Sequence, residues 1–156
     1  GPAHTRVAQM RLAGYQRALR EAGVDVAPNR TRESDFTSTG GYAAAVQLLA
    51  QNPPSAIFAS NDMIGFGVLR AAAERNIRVP GELSVIGFDD IQMSRYVYPA
   101  LTTVGQSILQ LGETAAELLL RRIATPQLPI DQRIVTPSIV LRESTAPVAG
   151  VFAQYR

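Results

Sequence analysis

The spacing of hydrophobic and polar residues divides the chain into helical segments and short apolar runs. In the first and last helical segments, apolar side chains recur every three or four positions between Arg and Glu, which is typical of amphipathic helices. The predicted helices are 6–22, 39–50, 63–75 and 107–124. The predicted strands are 56–59, 84–90 and 101–104. Because helices alternate with strands over short connections, we predict an α/β fold with a parallel sheet.

Other segments carry weaker signals. Residues 30–33 are a candidate strand, and residues 91–98 are predicted to be irregular with one short helical turn. A last strand is predicted over 130–140, where Pro137 indicates an edge position or a bulge because proline cannot donate a hydrogen bond to a sheet. Residues 146–156 are predicted to be a tail.

Composition narrows the classes of function. The chain has 156 residues, of which 46% are apolar and 18% are charged, as expected for one globular domain. No apolar run is long enough to cross a membrane, and the N-terminus lacks the pattern of a secretory signal. The formal charge is +2 and the fifteen basic residues are scattered arginines, so we do not expect this chain to bind nucleic acid directly. Without Cys or Lys, it contains no thiol nucleophile and no Schiff-base lysine.

Polar residues follow three of the predicted strands at what should be one edge of the sheet. In an open α/β sheet, ligands bind outside the carboxyl ends of the strands, where Asn61, Asp89 and Gln106 are expected. A carboxylate and two amides suit hydroxyls or ring nitrogens, Arg11 adds a fork of donors, and Phe36 adds a stacking surface. The sequence therefore predicts a ligand pocket without identifying the ligand.

Each of these residues also has an ordinary structural interpretation. The alternatives are a helix cap for Asn61, a core position for Phe36, solvated side chains for Arg11 and Gln106, and a turn position for Asp90. Spacing alone leaves both interpretations open.

The adjacent carboxylates of Asp89 and Asp90 raise an enzymatic alternative, a Mg²⁺-dependent phosphate-transfer site. A response-regulator site would also need a Lys, and a dehalogenase-type nucleophile would need Asp-x-Asp where this chain has Asp-Asp-Ile. The single histidine, His4, lies near the terminus, which disfavours a Ser-His-Asp triad. We therefore expect a binding protein, with no enzymatic activity, no cofactor and no metal.

Six short motifs follow one another along most of the chain. They are Arg11-Leu12-Ala13-Gly14-Tyr15, Asp35-Phe36 ahead of Gly41-Tyr42, Ala59-Ser60-Asn61-Asp62, Ser84-Val85-Ile86-Gly87-Phe88-Asp89-Asp90, Pro99-Ala100-Leu101-Thr102-Thr103-Val104 and Leu111-Gly112-Glu113-Thr114-Ala115. Together they resemble the effector-binding region of the lactose-repressor/purine-repressor (LacI/GalR) family of bacterial transcription regulators.

The resemblance implies a type I periplasmic-binding-protein-like fold, which is a three-layer α/β/α arrangement with a parallel sheet and a ligand cleft between two subdomains. We expect residues 1–106 to form mainly the C-terminal subdomain. Residues 107–130 would pack on an N-terminal subdomain, 131–145 would be a returning strand, and 146–156 a tail. That subdomain and a helix-turn-helix headpiece are expected to lie outside this sequence. The apolar face of the last helix would then be exposed, swapped or paired with another copy; its residues are Ile108, Leu111, Leu118 and Leu119.

The resemblance also implies the site and the partners. The positions that match effector-contacting residues are Arg11, Phe36, Asn61, Asp89, Gln106 and Ile108. The implied protein is a cytoplasmic, homodimeric repressor that senses a small molecule, a sugar or sugar derivative, and contacts DNA only through its headpiece. An exported solute-binding protein of a sugar ABC importer shares the fold and is the alternative.

Overall fold

The computed structural model describes residues 1–147, which form four α-helices, two short 3₁₀ helices and one four-stranded sheet. The helices are α1 (Arg6–Glu21), α2 (Ser38–Leu48), α3 (Asp62–Glu74) and α4 (Ile108–Ala124). The strands are β1 (Ala56–Phe58), β2 (Ser84–Asp89), β3 (Thr102–Gly105) and β4 (Ser138–Val140). The 3₁₀ helices are Pro28–Arg30 and Gln92–Arg95. Most of the predicted tail, beyond residue 147, lies outside the described residues.

The sheet has the order β1-β2-β3-β4, and its first three strands run parallel. This arrangement confirms the predicted α/β class. The sheet is mixed, however, because β4 pairs antiparallel with β3, with Gly105 opposite Ser138. The chain leaves the sheet after β3, forms α4 and returns as β4, which pairs directly with β3. α4 therefore does not pack across a face of the sheet. Pro137 lies just before β4, at an edge where its missing N–H is tolerated.

Helices cover both faces of the sheet. α3 lies against one face, where Gly87 allows a close approach because a Cβ there would lie 3.3 Å from the Cα of Asp62. Neighbouring strand residues point to opposite faces, so Phe88 faces the other side, where α1 lies. There Tyr15 of α1 stacks on Phe58, with 6.4 Å between ring centroids. The main apolar core includes Ala45, Ile57, Ile64, Val68, Leu69, Leu83, Val85 and Leu101.

The sequence sets the beginnings of the helices through capping side chains. Thr5, Thr37, Asn61 and Ser107 each accept a hydrogen bond from a backbone N–H in the first turn of α1, α2, α3 and α4. Gly23 follows α1 with φ of 68°, which is typical of a glycine just past the end of a helix.

Two strand predictions were wrong or too long. Residues 31–35 contain no regular structure, and the Arg32 side chain bonds the carbonyls of Asn29 and Thr31, which holds this segment locally. The last strand occupies only Ser138–Val140 of the predicted 130–140. Apolar residues before it have no neighbouring strand to pair with: Ile130 is 80% exposed and Ile134 is 91% exposed.

α4 differs from the other three α-helices because none of its residues is buried. Ile108 is 68% exposed, Leu119 60% and Ile123 66%. No part of residues 1–147 buries this helix, and the expectation that residues 107–130 pack on an N-terminal subdomain stays a prediction. Within residues 1–147, none of the helices has the length and apolar character that a bilayer crossing requires.

Candidate functional site

The carboxyl ends of β1, β2 and β3 meet at one edge of the sheet, and α1 brings Arg11 to that edge. Its guanidinium donates to Asp89 Oδ1 at 3.0 Å and to the carbonyl oxygen of Ser60. The same group lies 3.8 Å from the centroid of the Phe88 ring, a cation–π contact. Arg11 is thus fixed by three different partners, and its side chain is only 14% exposed.

Asp89 is the central carboxylate of this edge. Gln106 Nε2 also donates to Asp89 Oδ1, at 3.3 Å. Within residues 1–147 both hydrogen bonds fall on Oδ1, which leaves Oδ2 able to accept from a ligand. Burial raises the pKa of Asp89, and the neighbouring Arg11 offsets part of that rise. The backbone of Asp89 has φ of 109°, which an L-residue adopts only when its surroundings hold it there.

Asn61 has two structural partners at the same edge. Its Oδ1 accepts from the N–H of Ile64 at 2.8 Å and caps α3, while its Nδ2 donates to the Phe36 carbonyl at 3.0 Å. Phe36 is half-buried, with φ of 65°. Asn61 is therefore a helix cap, which was the structural interpretation of this residue. It also fixes the loop that carries the ring of Phe36.

The structure brings Arg11, Asp89 and Gln106 into one hydrogen-bonded cluster, and Asn61 and Phe36 into a neighbouring one. Ile108 stands apart from both clusters. It lies on the first turn of α4, two residues after Gln106, and is 68% exposed.

Sequence reasoning missed the buried carboxylate of Asp62, which it named only as the last residue of the Ala59-Ser60-Asn61-Asp62 motif. Asp62 is 1% exposed. It accepts hydrogen bonds from Ser94 Oγ at 2.6 Å, from the N–H of Ile91 at 2.9 Å and from the Thr103 hydroxyl. These bonds join α3 to β3 and to the loop after β2, so Asp62 supports the backbone that carries Asp89. The sequence carries no signal of this role, because Asp62 follows Ser60 and Asn61 and resembles one more polar residue ahead of the helix.

Sequence reasoning also missed the partner of Asp90. Arg142, just after β4, pairs with Asp90 Oδ1, and their side chains are 12% and 24% exposed. The backbone of Asp90 has φ of 54°, which fits the turn position predicted for it. Each of the two carboxylates therefore has its own arginine. A Mg²⁺ ion at this pair would lie beside two guanidinium groups, whose positive charges disfavour it.

The arrangement suits recognition of a small polar molecule. It offers one free carboxylate oxygen, amide groups and an arginine fixed at the carboxyl edge of a parallel sheet. In the part of the chain that the structure describes, no three His, Cys, Asp or Glu residues are grouped so as to hold a metal ion.

Comparison with known proteins gives the same picture. A family model described as "Periplasmic binding protein-like domain" matches residues 1–145. The "HTH-type transcriptional repressor PurR" of Escherichia fergusonii is 40% identical over 157 residues, covering 100% of this chain and 46% of that protein.

Two solved structures illustrate the similarity of fold. The "transcriptional regulator CelR-cellobiose complex" has a TM-score of 0.85 and 32% identity, covering 92% of this chain and 44% of that one. The "Structure of the Dimeric Lac Repressor with an 11-residue C-terminal Deletion" has a TM-score of 0.86 and 32% identity, covering 93% and 53%.

The chain therefore belongs to the family of periplasmic binding protein-like domains, in the form found in the effector-binding domain of lactose-repressor/purine-repressor (LacI/GalR) regulators. Its relatives are transcriptional repressors. The chain spans slightly less than half the length of the curated relative described above, at 46%.

Proposed function

We propose that this chain is the C-terminal part of the effector-binding domain of a bacterial transcriptional repressor. In this proposal the protein binds a small polar molecule, a sugar or sugar derivative, and relays binding to a helix-turn-helix headpiece that contacts DNA. It acts in the cytoplasm and has no enzymatic activity.

The observation that carries the proposal is the Arg11–Asp89–Gln106 cluster. Its charges are half-buried and fixed, and Asp89 Oδ2 can accept a hydrogen bond from a ligand hydroxyl. A fixed acceptor beside a fixed arginine suits a molecule that carries several hydroxyls, because each hydroxyl both donates and accepts. The cellobiose complex of a relative with the same fold supports a sugar as the ligand class.

The domain arrangement is part of the proposal. Residues 1–106 form the C-terminal subdomain, residues 107–130 pack on an N-terminal subdomain, and residues 131–145 return to the first. The exposed apolar face of α4 and the short antiparallel β4 support this division. Ile108, at the start of α4, would then face the cleft between the subdomains and join the ligand contacts.

We also propose that the complete protein is a homodimer, as the lac repressor structure described above is by its own description. The exposed ring of Tyr98 and the half-buried side chains of Phe66 and Val97 border a shallow groove beside α3 and support an interface of this kind. Sedimentation of the complete protein as a monomer at micromolar concentration would contradict this part of the proposal.

The deciding experiment uses the complete protein that contains this chain. A panel of mono- and disaccharides that includes cellobiose is screened by thermal shift, and ligands that raise the melting temperature are measured by calorimetry. We expect Asp89→Asn and Arg11→Met each to weaken binding of the best sugar at least about tenfold, as loss of a charge-assisted hydrogen bond predicts.

Operator binding in the absence of sugar should persist in both variants, since neither residue lies near a DNA-binding element in the proposal. Glu113→Gln, an exposed change on α4, is the matched control and should bind the sugar as wild type does. Wild-type affinity in both site variants would reject the site. A wild-type protein that binds none of the sugars would reject the proposed ligand class.

A further inference from the structure

The two carboxylates at the end of β2 form an elbow with unusual backbone geometry. Asp89 has φ of 109° and Asp90 has φ of 54°, and both lie in the left-handed region that favours glycine. Two consecutive residues of this kind persist only where neighbouring groups hold them. The backbone N–H of Asp90 donates only one long hydrogen bond, to the Thr103 hydroxyl at 3.4 Å, so the side-chain contact of Asp90 is its main restraint.

The elbow is bonded to residues that follow β3, where the chain leaves the sheet, and β4, with which it returns. Asp89 accepts from Gln106, directly after β3, and Asp90 accepts from Arg142, two residues after β4. The end of β3 lies beside the start of β4, where Gly105 pairs with Ser138, and Arg142 lies beyond the far end of β4. Residues 106–137, which include α4, are therefore attached between Gln106, which bonds Asp89, and the three-residue strand β4, whose far end is followed by the Asp90–Arg142 pair.

Arg142 is fixed beside the elbow by several contacts. Besides Asp90, its guanidinium bonds the carbonyl of Leu101 at 2.8 Å, and its backbone N–H bonds the hydroxyl of Thr102 at 2.9 Å. The side chain is 12% exposed. A guanidinium that bonds a carboxylate and a backbone carbonyl together uses its planar fork, which a lysine could not reproduce.

We propose that Asp90 and Arg142 are positioning residues for the ligand site: their ion pair holds Asp89 in its left-handed geometry and ties the site to the returning strand β4. The proposal rests on the proposed function in one respect, that Asp89 contacts the ligand. A ligand that draws Asp89 toward itself turns the elbow, and the Asp90–Arg142 pair transfers that movement to β4 and so to the attachment of α4.

The first test needs no ligand, because the direction in which the pKa of Asp89 changes distinguishes the two possible roles of Arg142. In the complete protein, the pKa of Asp89 is followed by carboxyl carbon NMR in wild type and in Arg142→Met. If Arg142 acted only as a nearby positive charge, removing it would raise the pKa of Asp89. If it holds the elbow, Asp89 relaxes into solvent, the desolvation that raises its pKa is lost, and the pKa falls. We expect a fall; an unchanged or higher pKa would overturn the proposal.

A second variant tests whether the two residues act as one unit. Asp90→Asn keeps a residue that tolerates left-handed backbone but loses the ion pair. We expect Asp90→Asn to lower the pKa of Asp89, in part because a neighbouring negative charge is lost. Adding Arg142→Met to it should change this pKa no further, because the ion pair is already broken. Additive shifts in the double variant would mean that the two residues act separately and would overturn the proposal.

Ser144→Ala is the matched control for general loosening of this segment. The Ser144 hydroxyl bonds the Val85 carbonyl at 2.6 Å and the N–H of Thr102 at 2.8 Å, and it is fully buried. This variant should lose stability and leave the pKa of Asp89 unchanged. A shift as large as that of Arg142→Met would show that any damage to the segment moves Asp89, and would overturn the proposal.

The binding readout uses the best sugar from the panel. Arg142→Met should weaken its binding about tenfold or more, and Ser144→Ala should bind as wild type does. If Asp89→Asn loses binding but Arg142→Met keeps wild-type affinity, the positioning proposal fails and the proposed function stands. If no sugar binds the wild type, the proposed ligand class fails, and the pKa experiment still decides the role of Arg142.

Discussion

The protein divides into a body, residues 1–106 and 138–147, and an arm, residues 107–137. Both contain amphipathic segments, but the apolar side chains are buried in the body and exposed in the arm. In the body, Val85 and Leu101 are fully buried, and the sheet is covered on both faces. In the arm, α4 is regular and capped, yet none of its residues is buried. The comparison teaches that helical periodicity specifies an apolar face but does not specify what covers it.

The largest effect expected in this comparison is at Asp62 in the body. Asp62→Ala removes the acceptor for two hydroxyls and one backbone N–H, at a site that is 1% exposed. Hydrogen bonds to a buried charge are worth about 1.5–3 kcal/mol each, so we expect the free energy of unfolding to fall by about 3–5 kcal/mol. Urea unfolding followed by circular dichroism measures this change.

The control for that prediction is Glu113→Ala in the arm, since this carboxylate is exposed. Its effect should stay within about 0.5 kcal/mol, as for surface substitutions in general. A similar loss in both variants would remove the distinction between a structural carboxylate in the body and a solvated one in the arm.

The next effect tests what covers α4. Leu119 is 60% exposed here, so in this chain Leu119→Ala should change the free energy of unfolding by less than about 0.5 kcal/mol. In the complete protein the N-terminal subdomain is expected to bury this face, and the same change should then lower stability by about 2–3 kcal/mol. Parallel urea titrations of the two proteins provide the comparison.

Leu101→Ala is the matched body variant, because Leu101 is fully buried in this chain already. It should lower stability by about 3 kcal/mol in both proteins. If Leu119→Ala has as little effect in the complete protein as in this chain, α4 has no covering partner and the domain proposal is wrong.

The smallest effect expected is a pH dependence from Asp89. Because burial raises its pKa in the folded state, the folded chain takes up a proton more readily than the unfolded chain does. The stabilisation by this proton is fully present below the unfolded-state pKa and is lost as pH rises through the higher folded-state pKa. The stability of wild type relative to Asp89→Asn should therefore decrease as pH is raised through this range. Denaturant titrations at a series of acidic pH values measure it, and an increase with pH would contradict the assigned direction.

Local features of the fold were predictable from the sequence. The helices follow from apolar spacing and capping residues, and each begins within one residue of its predicted start. Buried strands follow from short apolar runs ended by polar residues, as at Asp89. Residues 30–33 were mistaken for a strand although they contain no apolar residue, so they have no face that a sheet would bury.

Nonlocal features were not predictable in the same way. The Asp90–Arg142 pair joins residues 52 positions apart, and the Thr103–Asp62 bond spans 41. Nothing in the spacing of Arg142 or Asp62 distinguishes them from solvated charges until the strands bring their partners close. The positions of Asn61, Asp89 and Gln106 were predictable, since the carboxyl ends of parallel strands lie at one edge of the sheet. That these residues bind a ligand stays a prediction. Ile108 was named from family resemblance, and its role stays a prediction.

The two hydrogen bonds of the Asn61 side chain limit how this protein can be redesigned as a biosensor. Replacing Asn61 removes a helix cap worth about 1 kcal/mol and frees the Phe36 loop at the same time, so a library randomised there would lose many folded members. Gln106 makes a single 3.3 Å bond and is exposed, so it tolerates a change of side chain. A search for new analyte specificity should therefore begin at the end of β3 and keep the start of α3 intact.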